Sequence, residues 1–125
     1  MLKKVWFSFV PALIWLLFIV VGSFMSTSNV PKIAVSDKGI HFIFYAIFAF
    51  LLYFPLRVNT KRSFTFVTTS VLVLLVGFTL GAVVELIQHY FIIGRFGEYL
   101  DIVANTIGLL VGLLISEIYK RKAVL

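Results

Sequence analysis

Residues 5–24 read VWFSFVPALIWLLFIVVGSF, twenty consecutive positions without a charged side chain. A helix of about 20 apolar residues crosses the ~30 Å hydrocarbon core of a bilayer. Lys3 and Lys4 precede this run, as basic residues do in secretory signal peptides, but the apolar region of a signal peptide has only ~7–15 residues. We therefore expect residues 5–24 to form a transmembrane helix and not a cleaved leader.

Three further apolar runs follow, and hydrophobic residues make up 62% of the 125 positions, against ~45–50% in soluble domains. A soluble core of this size could not bury so many apolar side chains. The sequence predicts one domain over residues 1–125, an all-α membrane protein built as a small antiparallel bundle. Its four transmembrane helices are expected at about residues 5–24, 39–56, 66–91 and 101–119.

The basic residues are distributed unevenly between the two sides of this bundle. Eight fall at the termini and in the middle connection, namely Lys3, Lys4, Arg57, Lys61, Arg62, Lys120, Arg121 and Lys122, against Lys32, Lys38 and Arg95 in the other connections. Because cytoplasmic loops are enriched in Lys and Arg, both termini are predicted to be cytoplasmic. The charge of +6 forms no continuous stripe, so the predicted partner is the lipid bilayer and not nucleic acid. The chain has no cysteine, which excludes disulfides, thiolate metal sites and cysteine nucleophiles.

Polar residues gather at the predicted outer ends of three helices. Ionisable groups cost ~2.5–3.5 kcal/mol at mid-bilayer, so they tend to face a bundle interior or a cavity. Spacings of three or four residues place each set on one helix face. The sets are Asp37 and His41 on helix two, Glu85 and Gln88 on helix three, and Asp101 and Asn105 on helix four.

Each of these residues also has a purely structural interpretation. Asp37 and Asp101 are well placed as helix caps, where carboxylates are favourable. Glu85 fits this interpretation poorly, because it lies far along helix three, where the helix dipole repels a carboxylate. Arg95 is its expected counter-ion. A cluster that only closes the outer end of the bundle remains an open alternative.

Four glycines are expected to support helix packing. Gly77 and Gly81 on helix three and Gly108 and Gly112 on helix four form small-xxx-small pairs, which allow close approach of helices in membranes. A direct contact between helices three and four through these pairs is the structural prediction.

In order along the chain, the polar residues form the pattern Asp37-Lys38-x-x-His41, Glu85-x-x-Gln88 and Arg95-x-x-Glu98-x-x-Asp101-x-x-x-Asn105-x-x-Gly108-x-x-x-Gly112. This pattern, over residues 37–112, resembles the VanZ-like family of small bacterial membrane proteins. Glu98 stands where many relatives are expected to carry aspartate, which preserves the negative charge. The family takes its name from a teicoplanin-resistance determinant, so the resemblance implies a role in the bacterial cell envelope. Together with the Lys and Arg distribution, it predicts a place in the bacterial cytoplasmic membrane with the polar cluster on the outer side.

The favoured hypothesis is therefore a non-enzymatic envelope protein that binds a lipid-linked cell-wall intermediate or a glycopeptide-type antibiotic. The expected binding residues are Asp37, Lys38, His41, Glu85, Gln88, Arg95, Glu98, Asp101 and Asn105. The alternative is a membrane enzyme acting on a lipid-linked phosphate or glycan, with Glu85, His41 and Asp101 as its acid–base residues. The sequence contains no nucleophile motif and no paired-histidine helix motif.

Neither a metal nor another cofactor is predicted. A metal site built from His41, Glu85 and Asp101 remains open, because ligand spacing across three helices cannot be judged from sequence. A proton or ion carrier is a third hypothesis. The inner halves of the four runs look almost wholly apolar, which argues against a polar route through one chain. The sequence does not predict an oligomeric state.

Overall fold

The computed structural model describes residues 2–24, 37–58, 64–91 and 99–124. These residues form four α-helices: α1 (Leu2–Phe24), α2 (Asp37–Arg57), α3 (Phe66–Phe91) and α4 (Tyr99–Val124). Each helix is long and apolar enough to cross a membrane. The predicted fold class, an all-α membrane protein with four transmembrane helices, is confirmed. The orientation with both termini in the cytoplasm stays a prediction, since the helices alone do not identify the two sides of a membrane.

Side-chain contacts give the helix directions. Lys38 lies near Asp101, both close to the first residues of their helices, and Tyr53 contacts Glu117 near the opposite ends. Helices α2 and α4 therefore run parallel. Helix α3 runs the other way, because Gly81 lies against Asn105 of α4 whereas the earlier Gly77 lies against the later Leu109.

The closest helix pair is α2 and α4, and glycines make this approach possible. A Cβ added at Gly108 would lie 2.3 Å from the backbone oxygen of Phe42, and one at Gly112 would lie 2.3 Å from that of Ala46. These distances are well inside van der Waals contact, so any larger side chain would separate the helices.

The expected contact of the two glycine pairs across α3 and α4 was wrong for helix four. Gly77 and Gly81 do lie against α4, but Gly108 and Gly112 lie against the backbone of α2. The reason is that α4 packs against both helices and offers a different face to each. The four-residue spacing identifies a surface suited to close packing without identifying the neighbour that uses it.

The buried core lies among α2, α3 and α4, with α1 added at one side. Its fully buried members include Phe48, Tyr53, Val73 and Leu109. Helix α1 contributes Ile19 to this core, and the indole of Trp15 donates a 2.9 Å hydrogen bond to the Phe44 carbonyl of α2. The apolar surface that remains exposed extends over all four helices, as expected where lipid replaces water as solvent.

Candidate functional site

Five polar side chains from three helices meet at one end of the bundle. We call them the His41 cluster; its members are Lys38, His41, Glu85, Asp101 and Asn105. The first two turns of α2 and of α4 supply four of them, and the last third of α3 supplies Glu85. They meet because α2 and α4 start at the same end of the bundle and α3 finishes there.

His41 is held by Asn105 across the α2–α4 contact. His41 Nδ1 lies 3.0 Å from Asn105 Oδ1, a hydrogen-bond distance. Since the amide oxygen can only accept, this pairing assigns the proton to Nδ1. The other ring nitrogen, Nε2, then faces the carboxylates of the cluster.

Asp101 contacts two residues of α2. Its Oδ2 lies 3.9 Å from His41 Nε2, and its Oδ1 lies 3.7 Å from Lys38 Nζ. The first turn of α4 contains Asp101, so the helix dipole also favours its negative charge. This carboxylate therefore lies inside the helix and bridges to α2, and it does not occupy the flanking N-cap position.

Glu85 completes a compact set of possible ligand atoms. One nitrogen or oxygen atom from each of His41, Glu85 and Asp101 can be chosen so that all three lie within 4.8 Å of one another. Both acids are 5% exposed. Burial of two carboxylates next to one imidazole is costly unless positive charge compensates it, so the arrangement suits cation binding or proton transfer.

Asn105 has a second polar atom that also faces inward. Its side chain is 2% exposed, and its Nδ2 has no hydrogen-bond partner among the described residues. A Cβ placed at Gly81 would lie 2.9 Å from this nitrogen and 3.5 Å from the Tyr45 hydroxyl. Glycine at position 81 thus leaves room for two polar groups. The sequence analysis missed Tyr45, which stands one turn after His41 in the same helix.

Gln88 lies close to the cluster but contacts a different helix. Its Nε2 donates a 2.6 Å hydrogen bond to the backbone oxygen of Ser23. This bond connects α3 to the end of α1, and it is the kind of contact that closes a bundle. The Asp37 side chain, Arg95 and Glu98 lie outside the described residues, so the expected pairing of Arg95 with Glu85 stays a prediction.

A second polar group, not predicted from the sequence, lies at the opposite end of the bundle. We call it the Glu117 cluster: Tyr53, Arg57, Glu117 and Arg121. The Tyr53 hydroxyl donates to Glu117 Oε2, and Arg121 Nε donates to Oε1 at 3.0 Å. Arg57 Nε lies 3.9 Å from Glu117 Oε2, and its Nη1 donates at 2.8 Å to the Phe64 carbonyl.

The Glu117 cluster corrects the expectation that the inner halves of the helices are almost wholly apolar. Glu117 is only 7% exposed. Its carboxylate is surrounded by the Tyr53 hydroxyl and by the guanidinium groups of Arg57 and Arg121. The four-residue spacings of Tyr53 with Arg57 and of Glu117 with Arg121 were available as a signal. Buried apolar residues, including Phe48, Leu109 and Leu113, lie between the two clusters, so the described residues form two separate polar ends.

Comparison with known proteins identifies a family for this chain. No curated protein and no solved structure matches the chain. The sequence model of the VanZ/LLP1 family matches residues 3–120, a range that includes most of each of the four helices, the whole His41 cluster and the Glu117 cluster except Arg121. This four-helix membrane protein therefore belongs to the VanZ/LLP1 family.

Proposed function

We propose that this protein binds the phosphate-bearing head group of a lipid-linked cell-wall intermediate at the His41 cluster. The observation that carries the proposal is the position of Lys38. Its side chain is 43% exposed and stands 3.7 Å from Asp101, whose side chain is only 7% exposed. The accessible charge of the cluster is thus positive, and the negative charges lie beneath it.

This order of charges favours an anionic ligand over an antibiotic with amine groups. An amine group carried on a bulky antibiotic would need the carboxylates of Glu85 and Asp101, which are 5% exposed and would have to be uncovered before a molecule larger than a single ion could reach them. A phosphate can approach the Lys38 ammonium directly, because charge-assisted hydrogen bonds to phosphate need only a donor at the surface. The Nδ2 of Asn105, which has no hydrogen-bond partner among the described residues, is a further donor for a ligand oxygen that enters the cluster.

The exposed apolar surface beside the cluster suits the lipid part of such a ligand. Ile43 and Ile47 on α2 and Val103 and Ile107 on α4 are large exposed apolar side chains near the same end of the bundle. A polyprenyl chain can lie against them in the bilayer while its head group stays at the interface. In the proposal, the end of the bundle with the His41 cluster faces the outer side of the bacterial cytoplasmic membrane, and the protein binds its ligand there.

Binding of a polyprenyl diphosphate to the purified full chain in lipid nanodiscs tests the proposal. We expect saturable binding of the diphosphate and at least tenfold weaker binding of the uncharged polyprenol. Lys38→Gln is expected to weaken diphosphate binding about tenfold, since a surface charge contact to phosphate is lost. Lys122→Gln, an exposed lysine at the opposite end, is the matched control and should leave binding unchanged.

Equal binding of polyprenol and polyprenyl diphosphate would contradict the proposal, as would an unchanged affinity in Lys38→Gln. A glycopeptide-type antibiotic as the true ligand gives a different pattern. Its binding would depend on the carboxylates, so Glu85→Gln would abolish it and Lys38→Gln would strengthen or spare it.

A second candidate function, hydrolysis of the lipid-linked phosphate, is favoured by the mutual approach of His41, Glu85 and Asp101 within 4.8 Å. Here a carboxylate or the imidazole takes a proton from water, the water oxygen attacks the terminal phosphorus, and the bond to the bridging oxygen breaks. Release of inorganic phosphate from the same diphosphate measures this reaction. Binding without phosphate release assigns the cluster to binding alone.

A further inference from the structure

Two buried carboxylates and an imidazole give the His41 cluster an affinity for positive charge. Glu85 and Asp101 are each 5% exposed, and Lys38 lies at the rim, 3.7 Å from Asp101. Carboxylates attract positive charge more strongly in a low-dielectric interior than in water. The positive charge that the cluster takes up has two possible sources, a second proton on His41 or a bound cation.

The geometry around His41 distinguishes these two sources. Nδ1 already has a partner in Asn105 Oδ1 at 3.0 Å, so a second proton would sit on Nε2. The distance from Nε2 to Asp101 Oδ2 is 3.9 Å, well beyond the ~2.7–2.9 Å of a charge-assisted hydrogen bond. A proton on Nε2 would be expected to draw the two atoms together.

The same gap suits an ion between the two atoms. Zinc binds imidazole nitrogen and carboxylate oxygen at ~2.0–2.2 Å, which holds neighbouring ligand atoms roughly 3.0–3.5 Å apart. Ligand atoms, one each from His41, Glu85 and Asp101, lie within 4.8 Å of one another. Side-chain rotations that move these atoms by about 1 Å would bring them to the separation that a bound zinc ion requires. We propose that His41 Nε2 and the carboxylates of Glu85 and Asp101 bind one divalent transition-metal ion, of the zinc or manganese class.

Asn105 provides independent support for this site. Histidines that bind metals almost always donate their other ring N–H to an oxygen acceptor, which fixes the tautomer and aims the free nitrogen at the metal. Asn105 Oδ1 is placed for that role. Its Nδ2 is buried without a partner among the described residues, and it faces Gly81 of α3, one helical turn from Glu85. It is available to an oxygen ligand that completes the coordination.

The proposed site keeps open coordination positions. Three protein ligands are the number found in catalytic zinc sites, where water or substrate takes the fourth position. Water, hydroxide or a phosphate oxygen fits the open position.

Metal content of the unmodified full chain tests the proposal directly. The protein is purified in detergent with an affinity tag that contains no histidine, equilibrated with Zn²⁺ or Mn²⁺ alone, and desalted in the presence of a weak chelator. We expect about one ion per chain by elemental mass spectrometry. His41→Ala and Asp101→Asn are each expected to lower the content at least tenfold, and Asn105→Ala to weaken the affinity about 10–100-fold.

Two matched variants control for other binding positions. His89→Ala removes the exposed histidine of α3, and Glu117→Gln removes the buried acid at the opposite end; both should keep one ion per chain. A content near zero in the unmodified chain overturns the proposal, and so does retention of the ion in His41→Ala. If the variants fold poorly, the visible absorption spectrum of Co²⁺ added to the unmodified protein tests whether the metal site exists. Bands of imidazole- and carboxylate-bound Co²⁺ support the site, and a spectrum identical to that of the free ion rejects it.

The measurement contains no lipid ligand and no antibiotic. Its outcome is therefore independent of the proposed binding of a lipid-linked phosphate, and either proposal can fail while the other stands.

Discussion

His41 of α2 and Asn105 of α4 share a 3.0 Å hydrogen bond that joins two parallel helices near their amino-terminal ends. The bond forms where glycines of α4 bring its backbone against α2. The position of the His41 imidazole and the short distance between α2 and α4 thus depend on the same interface. A change in either one is expected to affect the other.

Asn105→Ala is expected to lower the free energy of unfolding by about 1–3 kcal/mol, because it removes the partner of a largely buried imidazole and leaves a cavity. Interhelical hydrogen bonds in membranes contribute ~0.6 kcal/mol on average and up to ~1.7, so cavity formation supplies the rest. Thermal unfolding in detergent measures the change. Thr106→Ala is the matched control, since the Thr106 hydroxyl bonds within its own helix; equal losses in the two variants would contradict the role given to Asn105.

The four-helix fold could be predicted from the sequence because its signal is local. A charge-free run such as residues 5–24 specifies a membrane-crossing helix without reference to the rest of the chain. The spacings of three or four residues within single helices, such as Glu85 with Gln88 and Asp101 with Asn105, predicted polar faces in the same way. Each of those inferences needs only the geometry of one helix.

Contacts between helices could not be predicted in this way. The sequence did not indicate that Asn105 pairs with His41, because this requires that α2 and α4 run parallel and pack closely. The two helices are separated in sequence by α3, and nothing local identifies them as the closest pair. Glu117 was missed for a related reason: its neighbouring basic residues were interpreted as topology signals, whereas Arg57 and Arg121 also serve as its partners.

Gly108→Ala and Gly112→Ala are each expected to destabilise the bundle by about 1–3 kcal/mol, the usual cost of overpacking. In each case the new Cβ would lie 2.3 Å from a backbone oxygen of α2, which cannot rotate away as a side chain can. Gly22→Ala is the matched control, because nothing lies within 4 Å of a Cβ there. Its stability should be unchanged or raised by about 0.5–1 kcal/mol, since alanine is the better helix former. Thermal unfolding of all three variants in one detergent checks the prediction, and equal stabilities would refute the close approach.

Tyr53→Phe is expected to cost about 1–2 kcal/mol, because it removes a hydroxyl that donates to the buried Glu117 carboxylate and hydrogen bonds to charged groups are stronger than neutral ones. Tyr119→Phe, at an exposed position on α4, should cost less than ~0.5 kcal/mol. In a double-mutant cycle, Tyr53→Phe and Glu117→Gln should be non-additive, since each removes the same bond. Additive losses would show that Tyr53 acts through packing alone.

The orientation of the bundle can be tested with single cysteines, because the chain contains none of its own. The excess of Lys and Arg at the termini and in the middle connection predicts that these regions are cytoplasmic. A membrane-impermeant maleimide added to intact cells should therefore label Ser28→Cys, and should label Lys122→Cys only after the membrane is permeabilised. The reverse pattern would place the Glu117 cluster outside and the His41 cluster inside. That result would contradict the proposed function, which places the His41 cluster on the outer side of the membrane.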